Sequence, residues 1–223
     1  MNNLFYDGFN SKLIETAFFE GSLEIPILDA PREIILPASA IPFSQRKKIK
    51  NDTDMIVFYE QDPEFRDFVS IPQNYMAELK NVRIFSTPDC SVYRDMPLIF
   101  QLANIAVARS VGYYLQQQGK YVIPNVRWGD KRTYTKTLFD CIPSFSGIPE
   151  NGIVSIGTYG CSQSKEDKYF LEAGLDAMLE ELNPKAVVVY GSYNTKIFGK
   201  YEKYTYFHHL PDWISLKKGK KVG

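Results

Sequence analysis

Six short apolar runs punctuate the chain after residue 32: 33–36 (EIIL), 55–59 (MIVFY), 82–85 (VRIF), 121–123 (YVI), 153–156 (IVSI) and 186–190 (AVVVY). A weaker seventh lies at 204–207 (YTYF). These runs are too short for helices and rich in β-branched or aromatic residues, and most are apolar at nearly every position. That pattern predicts strands covered on both faces rather than one. Between them the period changes. Leu98, Leu102, Ile105 and Val111 predict a helix over 98–118 that stops at Gly119. Leu171, Leu175, Met178, Leu179 and Leu182 fall on one face and predict a helix over 166–182, which Asn183-Pro184 ends sharply. A shorter helix is expected over 73–79.

Strands alternating with helices imply an α/β fold with parallel pairing through right-handed crossovers. Polar residues follow nearly every strand in the same way, which favours a TIM-barrel-like arrangement, complete or incomplete. An open doubly wound sheet is the alternative. Residues 32–216 form the expected single domain. Residues 1–31 read as an irregular aromatic arm carrying Phe5, Tyr6, Phe9, Phe18 and Phe19, and residues 217–223 as a disordered basic tail.

Composition narrows the function classes. With 15 Tyr and 15 Phe the chain has ample area for a core, so whole-chain disorder is excluded. Zero formal net charge excludes a uniformly basic nucleic-acid grip and leaves only a local rim, residues 45–50 (QRKKIK) with Lys131 and Arg132. Three widely spaced cysteines give no disulfide framework. The first ten residues lack the basic start and apolar run of a signal peptide, and no run approaches the roughly 18 apolar residues of a membrane span. A reducing cytoplasm without a membrane partner is therefore expected.

In parallel α/β folds, ligands bind outside the carboxyl ends of the strands. There this chain offers Glu60 and Asp62, then Asp89, Arg94 and Asp95, then Asn125, Arg127, Trp128 and Asp130, then Thr158 and Tyr159, then Ser192. Arg94 and Arg127 are the candidates to hold negative charge, and Asp89 or Asp130 to act as general base. Each has a plainer alternative: Arg127 and Asp130 can pair to fix their loop, Trp128 can cover the core, and Asp95 can cap the helix that follows. Glu60, Asp89 and Asp130 are the right ligand type for a hard divalent cation such as magnesium, should they converge. The sequence Gly157-Thr158-Tyr159-Gly160 can form a backbone nest for a phosphate, although it matches neither standard glycine-rich fingerprint. Cys161 would need His208 or His209 folded over it to become a nucleophile.

The motifs Thr87-Pro88-Asp89, Tyr93-Arg94-Asp95-Met96-Pro97, Val122 through Asp130 (VIPNVRWGD), Gly157-Thr158-Tyr159-Gly160 and Val189-Tyr190-Gly191 occur here in that order. Together with Ile41-Pro42-Phe43 and Phe58 through Asp62 (FYEQD), they resemble the family called domain of unknown function 4417, over about residues 32–210. The resemblance implies a setting in bacteria, phages and other mobile elements and supplies no mechanism. Tyr159 stands where the family pattern has His.

The expected function is an enzyme acting on a phosphorylated or nucleotide-like small molecule at the strand ends. One alternative is a non-catalytic accessory protein that sequesters a small molecule or contacts a host protein through the aromatic arm. A second is nucleic-acid processing along the basic rim.

Overall fold

The computed structural model describes residues 10–159 and 164–219. A small antiparallel hairpin, β1 (Phe19–Glu20) and β2 (Ile25–Pro26), precedes the main body. β3 (Ser39–Pro42), β4 (Asp54–Val57), β5 (Ile84–Ser86) and β6 (Tyr121–Ile123) form a four-stranded parallel sheet in chain order. β7 (Ile153–Gly157), β8 (Ala186–Tyr190) and β9 (Tyr206–Leu210) form a three-stranded parallel sheet, again in chain order. A single parallel bridge, Asn125 with Ser155, links the two. The helices are α1 (Arg66–Ser70), α2 (Leu98–Gln117), α3 (Lys131–Tyr134), α4 (Lys165–Leu182), α5 (Thr195–Phe198) and α6 (Trp213–Gly219).

The near-continuous apolar runs are explained by burial on both faces. Ala40, Met55, Val57, Ile84, Ile123, Ile153, Ala186, Val188, Tyr190 and Leu210 meet in one core drawn from all seven parallel strands. Their neighbours point the other way. Ile56, Phe58, Phe85 and Val122 pack on Ala108, Val111 and Leu115 of α2. Val154, Ile156, Val187 and Val189 pack on Leu171, Leu175 and Met178 of α4. Each such side chain contributes about 1.5–3 kcal/mol on burial. Helix α2 is long and apolar enough to cross a membrane, yet half of it is buried inside the fold.

Both long helices end as the sequence predicts. Gly119 follows α2 with φ +72°, and Asn183 closes α4 in the left-handed region at φ 42°. Ser164 and Asp167 form a reciprocal capping box at the start of α4.

Several expectations need correction. Residues 33–36 are not a strand; the ladder forms at β3 instead. Tyr121 Oη donates to Glu33 O and accepts from Ile35 N, both at 3.0 Å, so this backbone is committed to a side chain. Ile34 and Ile35 then pack against the interior core. The helix over 73–79 is only a 3-10 turn, Pro72–Tyr75. The last strand starts two residues later than YTYF suggests, because Tyr206 is the residue in register with Ala186. Helix α6 runs to Gly219, into the stretch expected to be a tail. No hydrogen-bonded ladder joins β9 to β3 among the described residues, so the strands do not close into a barrel. The link there is a side chain, His208 Nε2 donating to Pro37 O at 2.7 Å.

Candidate functional site at the strand ends

Four side chains from three strand ends form one connected network. Asp89, just past β5, is 8% exposed. Its carboxylate accepts from Asn125 Nδ2 at 2.7 Å and from Arg127 at 3.0 Å. Asn125 Oδ1 in turn accepts from Tyr59 Oη at 3.0 Å, at the end of β4. The backbone of Asn125 is fixed as well: its N–H donates to Thr87 Oγ1 at 2.8 Å, and its carbonyl accepts from Arg109 at 3.0 Å. Register explains the convergence. Tyr59 continues the alternation of Met55 and Val57, and Asn125 and Arg127 that of Ile123, so their polar ends meet above the apolar core, where Asp89 joins them from the loop after β5.

The surroundings close tightly over this network. Tyr59 stacks on Tyr190 at the end of β8, with ring centroids 4.9 Å apart and planes 15° apart. Gly157 is required there, because a Cβ would lie 2.5 Å from the Tyr59 ring. Arg109 enters from α2, only 2% exposed, and its three nitrogens donate to the carbonyls of Asn125, Ser144 and Ser146. Between α2 and the strand ends lies a crevice of about 10 Å³, lined by Asn104, Arg109, Asn125 and Arg127. It suits a single water.

The electrostatics follow from burial. Desolvation raises the Asp89 carboxyl above its ordinary value, against the lowering effect of Arg127 and Asn125, and Asp62 adds to the rise. Burial, then the Asp89 charge, pushes the Tyr59 hydroxyl well up. Burial lowers Arg109 to about 10, so it stays charged at neutral pH. A carboxyl with an elevated value at a strand end can take up a proton, while the guanidinium beside it favours an anion.

The remaining expected residues are engaged elsewhere. Arg94 pairs with Asp167 at 2.8 Å and lies over the Phe170 ring at 4.6 Å, so it clamps its loop to the start of α4. Asp130 caps α3 through the Arg132 N–H and pairs with the Arg132 side chain at 2.7 Å. The pairing of Asp130 with Arg127 is thus not formed. Asp95 is exposed and does not cap α2, whose N-cap is Pro97 without a side-chain bond. Trp128 donates to Phe170 O at 2.9 Å and packs on Gly174, covering the core as its plainer reading had it. Glu60 accepts from Ser44, and Asp62 from Ser91. Thr158 is buried, its hydroxyl directed to Tyr190 O and Ser192 O. Tyr159 is 75% exposed, and Ser192 is exposed beside it.

Glu60, Asp89 and Asp130 therefore do not converge. Among the described residues no group of three or more His, Cys, Asp or Glu side chains could hold a metal ion. Gly160 and Cys161 of the expected phosphate nest and nucleophile lie outside the described residues, as do Phe5, Tyr6 and Phe9. His209 Nε2 donates to Gly191 O at 2.7 Å, and with His208 on Pro37 both histidines are committed to backbone. In the basic rim, Arg46 pairs with Glu78 at 3.1 Å, and Lys48 lies over the Trp213 ring at 5.3 Å.

Tyr59, Tyr190 and Arg109 belong to the site and were not among the expected residues. The signal for Arg109 was legible: an arginine within the apolar run LANIAVARSVGYY has no reason to sit on that face unless its charge is used. The two tyrosines read as strand ends because nothing local marks a cross-interior contact.

No solved structure matches this chain. The Gene 1 protein of Mycobacterium phage D29 is 34% identical over 134 residues, covering 60% of this chain and 47% of the phage protein. The Gene 1 protein of Mycobacterium phage L5 is 32% identical over 134 residues, covering 60% and 56%. The matched region thus spans about half the length of these curated relatives. A match over residues 17–208 covers the Asp89 network and every parallel strand but the last two residues of β9, and the chain belongs to the family described as domain of unknown function (DUF4417).

Proposed function

We propose that this phage-type protein binds a small phosphate-bearing, nucleotide-like ligand at the carboxyl ends of its parallel strands and acts on it there as an enzyme. Arg127 holds the anionic group and Asp89 serves as general base. The observation that carries this reading is the Asp89 carboxyl, buried at a strand end and suspended between Asn125 and Arg127. A carboxyl costs free energy to bury, and perturbed carboxyls of this kind cluster at functional sites. The strand arrangement is read as an incomplete barrel. In its favour are the sequential strand order, the shared interior core, and the contact of Tyr59 with Tyr190 across the interior. The cell interior, with Cys90 and Cys141 as free thiols, is the proposed setting.

The test is a thermal-shift series with ATP, ribose 5-phosphate and inorganic phosphate. A probe at about 100 times its Kd adds about 2.7 kcal/mol of stability. That gain should vanish in Arg127→Ala and persist in Arg94→Ala, whose guanidinium is committed to Asp167. Equal stabilisation of wild type and Arg127→Ala would reject the site. A second reading, an accessory protein that contacts a partner through its N-terminal hairpin, draws on the exposure of Phe18 at 82% and Phe19 at 46%. No response to any probe would shift the weight to it.

A further inference from the structure

Helix α6 touches the strand-end network at one defined point. The Trp213 N–H donates to Tyr190 Oη at 3.0 Å. Tyr190 stacks on Tyr59, Tyr59 donates to Asn125, and Asn125 donates to Asp89. A continuous line of contacts therefore runs from the C-terminal helix to the buried carboxylate. Burial, then Asp212 and Glu60, against the Trp213 N–H, holds the Tyr190 hydroxyl up at about 12, so it stays protonated and can keep accepting from Trp213.

The helix is short and rests against β3. Its seven residues are too few to be stable alone. Asp212 caps it through the N–H groups of Ile214 and Ser215, and Ile214 and Leu216 face outward. Its other ties to the body include the Lys48 ammonium over the Trp213 ring. The Trp213 indole N–H is buried without a hydrogen-bond partner, a cost that release of the helix would relieve. Beneath it the Tyr59 and Tyr190 rings lie face to face, with centroids 4.9 Å apart, between the helix and the buried carboxylate.

We propose that α6 is a strap that closes the strand-end site and must release Tyr190 before a ligand can enter. This inference rests on the reading of that site as the ligand site. The closed form is stabilised by the Trp213–Tyr190 bond, and the buried indole donor keeps the open form within reach. Release frees the Tyr190 ring to move off Tyr59 and opens the route to Asp89 and Arg127.

The experiment uses the full chain and Tyr190→Phe, which deletes the acceptor and keeps the ring stack. Hydrogen exchange of the α6 amides is followed by NMR, and the uptake of ATP by stopped flow. Loss of one neutral hydrogen bond should raise α6 exchange about 2- to 10-fold, with ATP association faster by a similar factor, because only the open form binds. Unchanged α6 exchange in Tyr190→Phe overturns the strap. Faster α6 exchange with neither ATP nor inorganic phosphate bound by any form supports the strap and removes the ligand reading beneath it.

Discussion

The two ends of the parallel strands divide space and chemistry between them. A cavity of about 310 Å³ lies toward the amino-terminal end of β7 and is lined by Ile142, Phe145, Ile148 and Leu182 with Glu20, Glu150 and Glu181. Its polar groups are those of an ordinary surface: Glu181 pairs with Lys136, and Glu20 accepts from Gly147 N. The carboxyl end gathers a buried carboxylate, two buried or half-buried guanidiniums, a carboxamide and a stacked tyrosine pair. Volume and buried polar chemistry thus point to different ends. A cavity forms wherever packing is incomplete, whereas a buried polar network persists only when its members satisfy one another, since each unpaired member would cost about 1–3 kcal/mol.

That contrast can be broken first at Arg109. If it anchors the polar end, Arg109→Met strands the carbonyls of Asn125, Ser144 and Ser146, and unfolding in urea should show a loss of about 3–5 kcal/mol. A loss under about 1 kcal/mol would mean that water replaces the guanidinium and that the network is not a unit. Gly157→Ala sharpens the same point. The added methyl meets the Tyr59 ring and should destabilise by about 1–3 kcal/mol, read as a lower Tm. An unchanged Tm would show that the tyrosine pair has room to shift.

The smallest effect is a dependence on pH. Desolvation raises the folded-state carboxyl of Asp89 above 3.8, so its proton is held more tightly in the folded chain than in the unfolded one. Its stabilising contribution is therefore complete below that ordinary value and is lost as the pH rises through the elevated folded value. Urea unfolding of wild type and Asp89→Asn over this range should show the wild type losing stability relative to the variant. Parallel curves would mean that Arg127 fully offsets the burial.

Local pattern was enough for part of this protein. Apolar runs such as AVVVY and IVSI became strands buried on both faces, although EIIL at 33–36 did not, and the leucine and methionine spacing over 171–182 became one face of a helix. Parallel α/β organisation followed from their alternation, and with it the rule that polar residues at the strand ends are the ones to watch. Asp89, Asn125 and Arg127 were found that way. Tertiary structure decided the rest, because it depends on which surface a polar side chain meets. Arg94 and Asp130 have the same composition and loop setting as Arg127 and Asp89. The first pair turned outward to Asp167 and Arg132, while the second turned inward to each other. Tyr59 and Tyr190 lie far apart in sequence and are joined only by the curvature of the strands. Sequence periodicity encodes the face of an element, whereas the partner across the interior is fixed only when all the elements are packed.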